Sequence, residues 1–316
     1  MNSKGKQPFV SVVIAVYNRK DLMKRTLDAM LKVGYKNYEI IVADGDSTDG
    51  TKEMLFQYTK KYKRLKPIVV KEPGRTIARN KAIKKSRGEI IIFVDSDCIV
   101  EKNWMKEIVK PFEDPDVGVV IGRTIADKKG PFWYHMENND LEFVGHNTAM
   151  RASIVKKLGG FNTKFRTARE DGDLAWRVLE KGYKAVYCKT AKMIHVSRRI
   201  APAERVKNQK HYVFDALLKR EHPALYKKYF IRYLFSAAIE NAIIGVLYVL
   251  ATAYFLFTNA LIGLVMVLAY LAATLYKTAG SDGTIKERIE FLLFIWLLPF
   301  SRLFYYILGF VKFRNG

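Results

Sequence analysis

The run IIIFVDSDC, residues 90–98, ends an uninterrupted apolar stretch on two carboxylates one residue apart. In an extended chain residues i and i+2 point the same way, so Asp95 and Asp97 project together while Ser96 turns aside. Two carboxylates at a strand end repel unless a cation lies between or beside them, and hard oxygen ligands of this kind suit Mg²⁺ or Mn²⁺. A second constellation is REDGDLAWR, residues 169–177. On a helix Asp171 and Asp173 lie about 200° apart, so one helix cannot aim both into a cleft. Asp171 shares its face with Leu174, Ala175 and Val178, where desolvation raises a carboxylate's basicity. Asp173 stands four residues before Arg177, the spacing of an ion pair at the surface or behind the site, near a helix N-terminus. Glu170 has two readings, a hydrogen bond to an acceptor or a helix cap.

These groups need a scaffold. Phe9–Val16 is a β-branched run followed by a helical pattern over 20–33. Tyr38–Ala43 is a second strand with a helix from about Thr51, Pro67–Val70 a third with a helix over 75–86, and Glu89–Val94 a fourth. The fourth is nearly all apolar, as a strand buried on both faces requires. This alternation predicts an α/β fold with a mostly parallel sheet covered by helices. Ligands of such sheets bind at the carboxyl ends of the strands. The loops there, Tyr17–Arg19, Asp44–Gly50, Glu72–Thr76 and Asp95–Asp97, all carry carboxylates or tight-turn residues.

The segments VSVVIAVYNR, IIVADGDSTDGT, EPGRTIARNKAIKKSRGEIIIFVDSDC, GHNTAMR, LGGFN and EDGDLAWR occur in the order seen in family 2 glycosyltransferases, which this chain resembles over roughly residues 8–200. The resemblance implies a GT-A fold, Rossmann-like, and inverting transfer of a sugar from a UDP- or GDP-linked donor with a divalent metal. It implies Val16, Tyr17 and Asn18 beside the nucleotide base, with Val16 where the family usually has Pro. Asp44 matches the base-recognising Asp, and Asp46 is its rival, because the common D-D-G-S stands here as D-G-D-S. Gly74 and Arg79 fall on the loop and helix flanking ribose and phosphates. Asp95 matches the ribose-side carboxylate and Asp97 the metal ligand, with Ser96 between them in the nucleotide-sugar site. Asp171 is implied as the base that deprotonates the acceptor. His146 and Asn147 match an acceptor-side loop, although His146 also reads as a packed polar residue. His195 could be a third metal ligand or, with Arg198 and Arg199, could bind diphosphate. For the two arginines a structural role is the competing reading.

Composition sets the remaining bounds. The chain has 316 residues, a net charge of +23 and 49% hydrophobic residues, which supports a sizeable core and argues against disorder. Only Cys98 and Cys188 are present, so a disulfide-stapled scaffold is excluded. The opening MNSKGKQPFV lacks a signal-peptide core, so synthesis is expected to stay cytosolic. Acidic loops would repel a nucleic-acid backbone, which leaves an anionic membrane surface for the basic surplus. From Asn241 to Tyr276 there is no Asp, Glu, Lys or Arg. As one helix that run would be about 54 Å long, too long for one span and suited to two.

The expected organisation is a catalytic domain over 1–200, an amphipathic juxtamembrane segment over 201–232 and a membrane domain over 233–316. The last holds a hairpin of about 235–257 and 260–276 and a third apolar segment of about 290–311, leaving two or three spans. Lys219, Arg220, Lys227, Lys228 and Arg232 before the hairpin, and Lys277, Lys286 and Arg288 after it, put the catalytic domain on the cytoplasmic face of the cell membrane. The expected acceptor is membrane-associated, a polyprenyl phosphate or lipid-linked saccharide. A processive polysaccharide synthase and a catalytically silent nucleotide-sugar or lipid-glycan binding module are the alternatives.

Overall fold

Alternating apolar residues with both faces covered build the central strands. The computed structural model describes residues 7–134, 136–138, 143–230, 237–279, 282–295 and 297–314. Strands β1 (Val10–Val16), β2 (Tyr38–Asp44), β3 (Leu65–Val69) and β4 (Ile90–Asp95) alternate with helices α1 (Lys20–Met30), α2 (Thr51–Lys61) and α3 (Arg75–Lys85). Val12 and Ile14 of β1 pack with Met23 and Leu27 of α1. Val13 points the other way, into a second layer with Ala78 and Ala82 of α3 and Leu174.

The sheet continues through β5 (Cys98–Val100), β6 (Val117–Ala126), β8 (Thr148–Arg151) and β9 (Lys184–His195), with helices α4 (Trp104–Val109), α5 (Ala152–Lys157) and α6 (Glu170–Leu179). The strand order is β3-β2-β1-β4-β8-β6-β9-β5. Strands β3, β2, β1 and β4 pair in parallel, because each helix returns the chain to the same end of the sheet. Beyond β4 the sheet is mixed: β8 runs antiparallel to β4 and β6, β9 parallel to β6, and β5 antiparallel to β9. The expected mostly parallel sheet therefore holds for one half only. In register, Ala15 stands beside Asp95 and Val16 beside Asp44, which levels the polar strand ends.

Two compact units are formed, Met1–Asp127 with Met136–Val196, and Lys128–His135 with Ser197–Gly316. The second contains the short pair β7 (Trp133–Tyr134) and β10 (Arg198–Arg199), helices α7 (Pro202–Lys207) and α8 (Val213–Glu221), and four later helices, Ala237–Thr258, Ala260–Ala279, Ile285–Ile295 and Leu297–Lys312.

The expectation of C-terminal transmembrane helices, and with it multi-pass placement in the cell membrane with a cytoplasmic catalytic face, is corrected here. Among the described residues no helix is long and apolar enough to cross a membrane. Within the uncharged run two hydroxyls bond inside the hairpin. The Tyr248 hydroxyl donates to the Met266 carbonyl, and Thr252 Oγ1 donates to the Tyr248 carbonyl at 2.8 Å. The start of the expected hairpin, 235–236, and Arg232 lie outside the described residues. The third apolar segment and the residues just after it pack on the amphipathic segment before the hairpin: Lys219 Nζ lies 5.1 Å from the Phe310 ring centroid, and Arg220 Nη1 donates to the Phe313 carbonyl at 3.0 Å. Arg302, costly in hydrocarbon, instead donates to Gln209 Oε1 at 2.7 Å.

Candidate active site

The ends of β1 and β2 are stitched together by short polar side chains. Asn18 lies in the left-handed region (φ 49°), which Asn tolerates better than most residues. Its amide accepts the Thr48 N–H at 2.8 Å, and its own N–H donates to Ser47 Oγ at 2.9 Å. Asp44 Oδ1 accepts the Ser47 N–H at 2.7 Å. Asp44 is buried, and its Oδ2 has no hydrogen-bond partner among the described residues. Asp46, its rival, turns outward to Lys52 at 2.7 Å. Tyr17 is 60% exposed beside Gly45, and Val16 is buried in the core.

Arg79 occupies the centre of the site. Gly74, at φ 127°, turns the chain into α3, whose inward face carries Ala78, Ala82 and Arg79. The Arg79 guanidinium is fully buried and donates to Asp95 Oδ1 at 2.6 Å, Asp171 Oδ1 at 2.9 Å and the Gly145 carbonyl at 3.0 Å. One turn earlier, Arg75 pairs with Glu170. Sequence reasoning placed Arg79 beside ribose and phosphates and missed Arg75. The legible signal was the i, i+4 pair of arginines on a helix next to carboxylate-rich loops.

Arg169, in the left-handed region at φ 68°, turns the chain into α6 so that Glu170 and Asp171 occupy its first turn. Burial pushes the Asp171 carboxyl up to about 7, and the neighbouring Glu170 charge adds to this against the pull of Arg79 and Arg75. Asp95 goes the other way: burial raises it, but Arg79 and Arg75 outweigh that and hold it at about 2. Two carboxylates sharing one guanidinium are thereby driven apart, the pattern that separates acid from base roles. Asp173 takes no part in this. It is buried rather than a surface residue, and accepts from Arg177 Nη2 at 2.7 Å and Nε at 2.9 Å, while Arg177 also caps the Leu158 and Gly160 carbonyls.

Antiparallel pairing of β5 with β9 sets Cys98 opposite His195, and the Val196 N–H donates to the Asp97 carbonyl at 2.8 Å. His195 Nε2 thus lies 3.4 Å from Asp97 Oδ1 and 4.0 Å from Asp95 Oδ2. Arg19 Nη1 reaches Asp97 Oδ2 at 2.8 Å. Burial pushes the Asp97 carboxyl up and Asp95's charge adds to it, while His195 and Arg19 counter. His146 comes from the loop before β8, with Nδ1 3.9 Å from Asp95 Oδ2 and its ring centroid 5.0 Å from that of His195. One ligand atom each of Asp95, His146 and His195 lies within 4.8 Å of the other two. A mixed carboxylate and imidazole set of this kind fits a divalent cation.

Asn147 is brought to the same loop but faces the core. Its amide accepts from Trp104 Nε1 at 2.7 Å and donates to the Arg123 and Ala191 carbonyls. Ser96 is buried, its carbonyl accepting from Thr26 Oγ1 at 2.9 Å. Arg198 and Arg199 belong to the second unit, where Arg198 pairs with Glu204 at 2.9 Å and Arg199 with Glu287 at 2.7 Å.

Comparison with known proteins agrees with this geometry. Residues 11–176, over half of the chain, match the model for glycosyl transferase family 2. The chain belongs to that family. Its α/β domain has the GT-A arrangement. It is similar to glycosyltransferase AglE of Haloferax volcanii, 29% identical over 211 residues that cover 60% of this chain and 68% of AglE. It is also similar to the beta-monoglucosyldiacylglycerol synthase of Nostoc, 27% identical over 55% of this chain and 42% of that protein, so it spans under half of that relative's length. Among solved structures, the mannosyltransferase PcManGT from Pyrobaculum calidifontis, in complex with GDP-Man and Mn²⁺, shares the fold. There the TM-score is 0.62 at 21% identity, over 99% of this chain and 89% of that one.

Proposed function

We propose that this chain transfers a glycosyl group, with inversion, from a UDP- or GDP-linked sugar to a hydroxyl or phosphate oxygen of a lipid-linked acceptor, with Asp171 as the general base. The observation that carries the reading is the divergence of Asp171 and Asp95 around Arg79: one carboxyl near neutrality and able to take a proton, the other firmly ionised. Asp171 receives the proton of the acceptor oxygen as that oxygen attacks the anomeric carbon from the side opposite the departing nucleotide. Arg79 keeps the base and the donor-side carboxylate at a fixed separation, so acceptor and donor meet in one geometry. The unpartnered Oδ2 of buried Asp44 offers an acceptor for a base N–H, and Tyr17 offers an exposed ring for it to lie on.

Asp95, Asp97 and His195 are the residues that would hold Mn²⁺ or Mg²⁺. Such an ion, when bound, neutralises charge developing on the leaving diphosphate. For a lipid-linked acceptor the support is twofold: the lipid product named in the Nostoc relative, and the exposed apolar side chains Leu250, Phe257 and Leu261 of the second unit.

Asp171→Asn tests the assignment. UDP and GDP binding by calorimetry should stay within about threefold of wild type, while single-turnover transfer falls by about 10²–10⁴. Turnover at the wild-type rate would remove Asp171 as the base. Activity confined to water-soluble acceptors would remove the lipid-linked part.

A further inference from the structure

Arg19 has no part in the roles above, yet its guanidinium lies on a carboxylate assigned to the cation, with Nη1 2.8 Å from Asp97 Oδ2. A positive side chain and a divalent ion repel each other at one carboxylate, so the contact must give way when the ion binds. The Arg19 main chain is fixed: its N–H donates to Thr51 Oγ1 at 3.2 Å, and its carbonyl accepts from the Met23 N–H at 2.8 Å. The side chain is not. Its contact with Asp97 is its single hydrogen bond among the described residues, and it is 35% exposed, whereas Arg79 is fully buried on three acceptors. Nor does the fold need Arg19 to place Asp97. Thr26 Oγ1 of α1 donates to the Ser96 carbonyl at 2.9 Å and accepts the Cys98 N–H at 3.1 Å, which pins the chain on both sides of Asp97.

We propose that Arg19 is a ligand of the donor's diphosphate, resting on Asp97 until ion and nucleotide arrive, and that its movement makes their binding cooperative. Its place in the sheet supports this. Strand β1 lies between β2 and β4, with Val16 beside Asp44 and Ala15 beside Asp95. A nucleotide reaching from Asp44 to the cation ligands therefore crosses the end of β1, and Arg19 stands just beyond that end. A guanidinium matches paired phosphate oxygens with parallel N–H donors, a stronger contact than the single bond to Asp97. Without donor and ion, Arg19 offsets the Asp97 charge. Either partner binding alone has to break that contact, whereas the two together break it once. The shared cost is a coupling free energy between them. A fastening residue would behave otherwise, since its loss would loosen the site for both.

The inference deepens the glycosyltransferase reading and rests on it for the donor, so its test reads binding and not turnover. Calorimetry on the full chain measures Mn²⁺ alone, UDP and GDP alone, and each nucleotide at saturating Mn²⁺. Arg19→Gln should bind Mn²⁺ alone about three- to tenfold tighter, because the competing charge is gone. At saturating Mn²⁺ it should bind the nucleotide preferred by the wild type about tenfold more weakly, the loss of a charge-assisted contact. The factor by which ion and nucleotide assist each other, about 5–150 in the wild type, should shrink accordingly. Arg19→Lys keeps the charge without the paired donors and should fall between the two. Opposite signs for ion and nucleotide are the signature. Any other pattern in Arg19→Gln overturns the proposal, and so does failure of both variants to fold, since the contact would then be a fastening. A wild type that binds UDP or GDP, with both affinities moving together in the variant, refutes only the role of Arg19. A wild type that binds neither nucleotide, with or without Mn²⁺, refutes the transferase reading as well.

Discussion

Two buried ionic clusters sit in the first unit, and they are built on opposite principles. Around Glu39, in β2, every oxygen is occupied: Oε1 accepts from Ser11 Oγ at 2.8 Å and the Arg87 N–H at 2.8 Å, and Oε2 accepts from Lys66 Nζ at 2.7 Å and the Arg87 guanidinium at 3.2 Å. Burial alone would raise its carboxyl, but Lys66, Arg87 and Ser11 more than reverse this and hold it below the usual range. Around Arg79 the cations are also shared, yet Glu170 Oε2, His146 Nε2 and His195 Nδ1 are left without partners among the described residues. The saturated cluster is a fastening. The unsaturated one presents polar atoms that its own side chains leave available to a ligand or to water.

The largest expected effect comes from breaking the shared cation. Arg79→Met leaves two buried carboxylates facing each other, and should cost about 3–5 kcal/mol in denaturant unfolding. Metal-independent UDP or GDP affinity should change less than stability does. Glu39→Gln probes the other cluster: it should cost about 1.5–3 kcal/mol, the scale of a few charge-assisted hydrogen bonds, and leave transfer per folded molecule untouched.

A pH series sharpens the contrast at the next level. A base is active as the carboxylate, so with Asp171 raised to about 7 transfer should fall about tenfold per pH unit below that point and level off above it. Stability should run the opposite way. Between about pH 4 and 7 the folded state keeps a proton on Asp171 that the unfolded chain has released, so this group's contribution falls as pH rises. Asp95, held at about 2, has the reverse sign: its contribution is complete above the ordinary carboxylate range and is lost as pH drops toward 2. Stability profiles of wild type and Asp171→Asn, recorded without added metal, should therefore differ in slope only in the window from about 4 to 7 and run parallel outside it. The smallest effect belongs to Asp46→Asn, which removes an exposed partner of Lys52 and should leave UDP and GDP affinity within about twofold, while Asp44→Asn should weaken it measurably.

The parallel half of the sheet was legible because β1, β2 and β4 are apolar on both faces and each is followed by a helical period. The mixed half was not, since the direction in which β5, β8 and β9 pair is decided by contacts far along the chain. Asp95, Asp97 and Asp171 could be picked out from residue type and spacing. Asp173 was paired with Arg177, but its environment stayed open between the surface and the back of the site, because helix periodicity gives a face and says nothing of what the chain lays over it. Arg79 reaches Asp171 across 92 positions, a pairing no local pattern encodes. The run of 241–276 was read as two spans from its length and lack of charge, and among the described residues no helix is long and apolar enough to cross a membrane.

Gly145 carries a consequence for anyone re-engineering the acceptor end of this enzyme. Its carbonyl is fixed by Arg79, and a methyl group in place of its hydrogen would overlap the Asp171 carboxylate. Loop grafts or saturation libraries that treat residues 143–147 as exchangeable linker would displace the Asp171 carboxylate with their first side chain. In a mutational scan position 145 should be as intolerant as Asp171 itself, even to alanine, although it contributes no reactive atom.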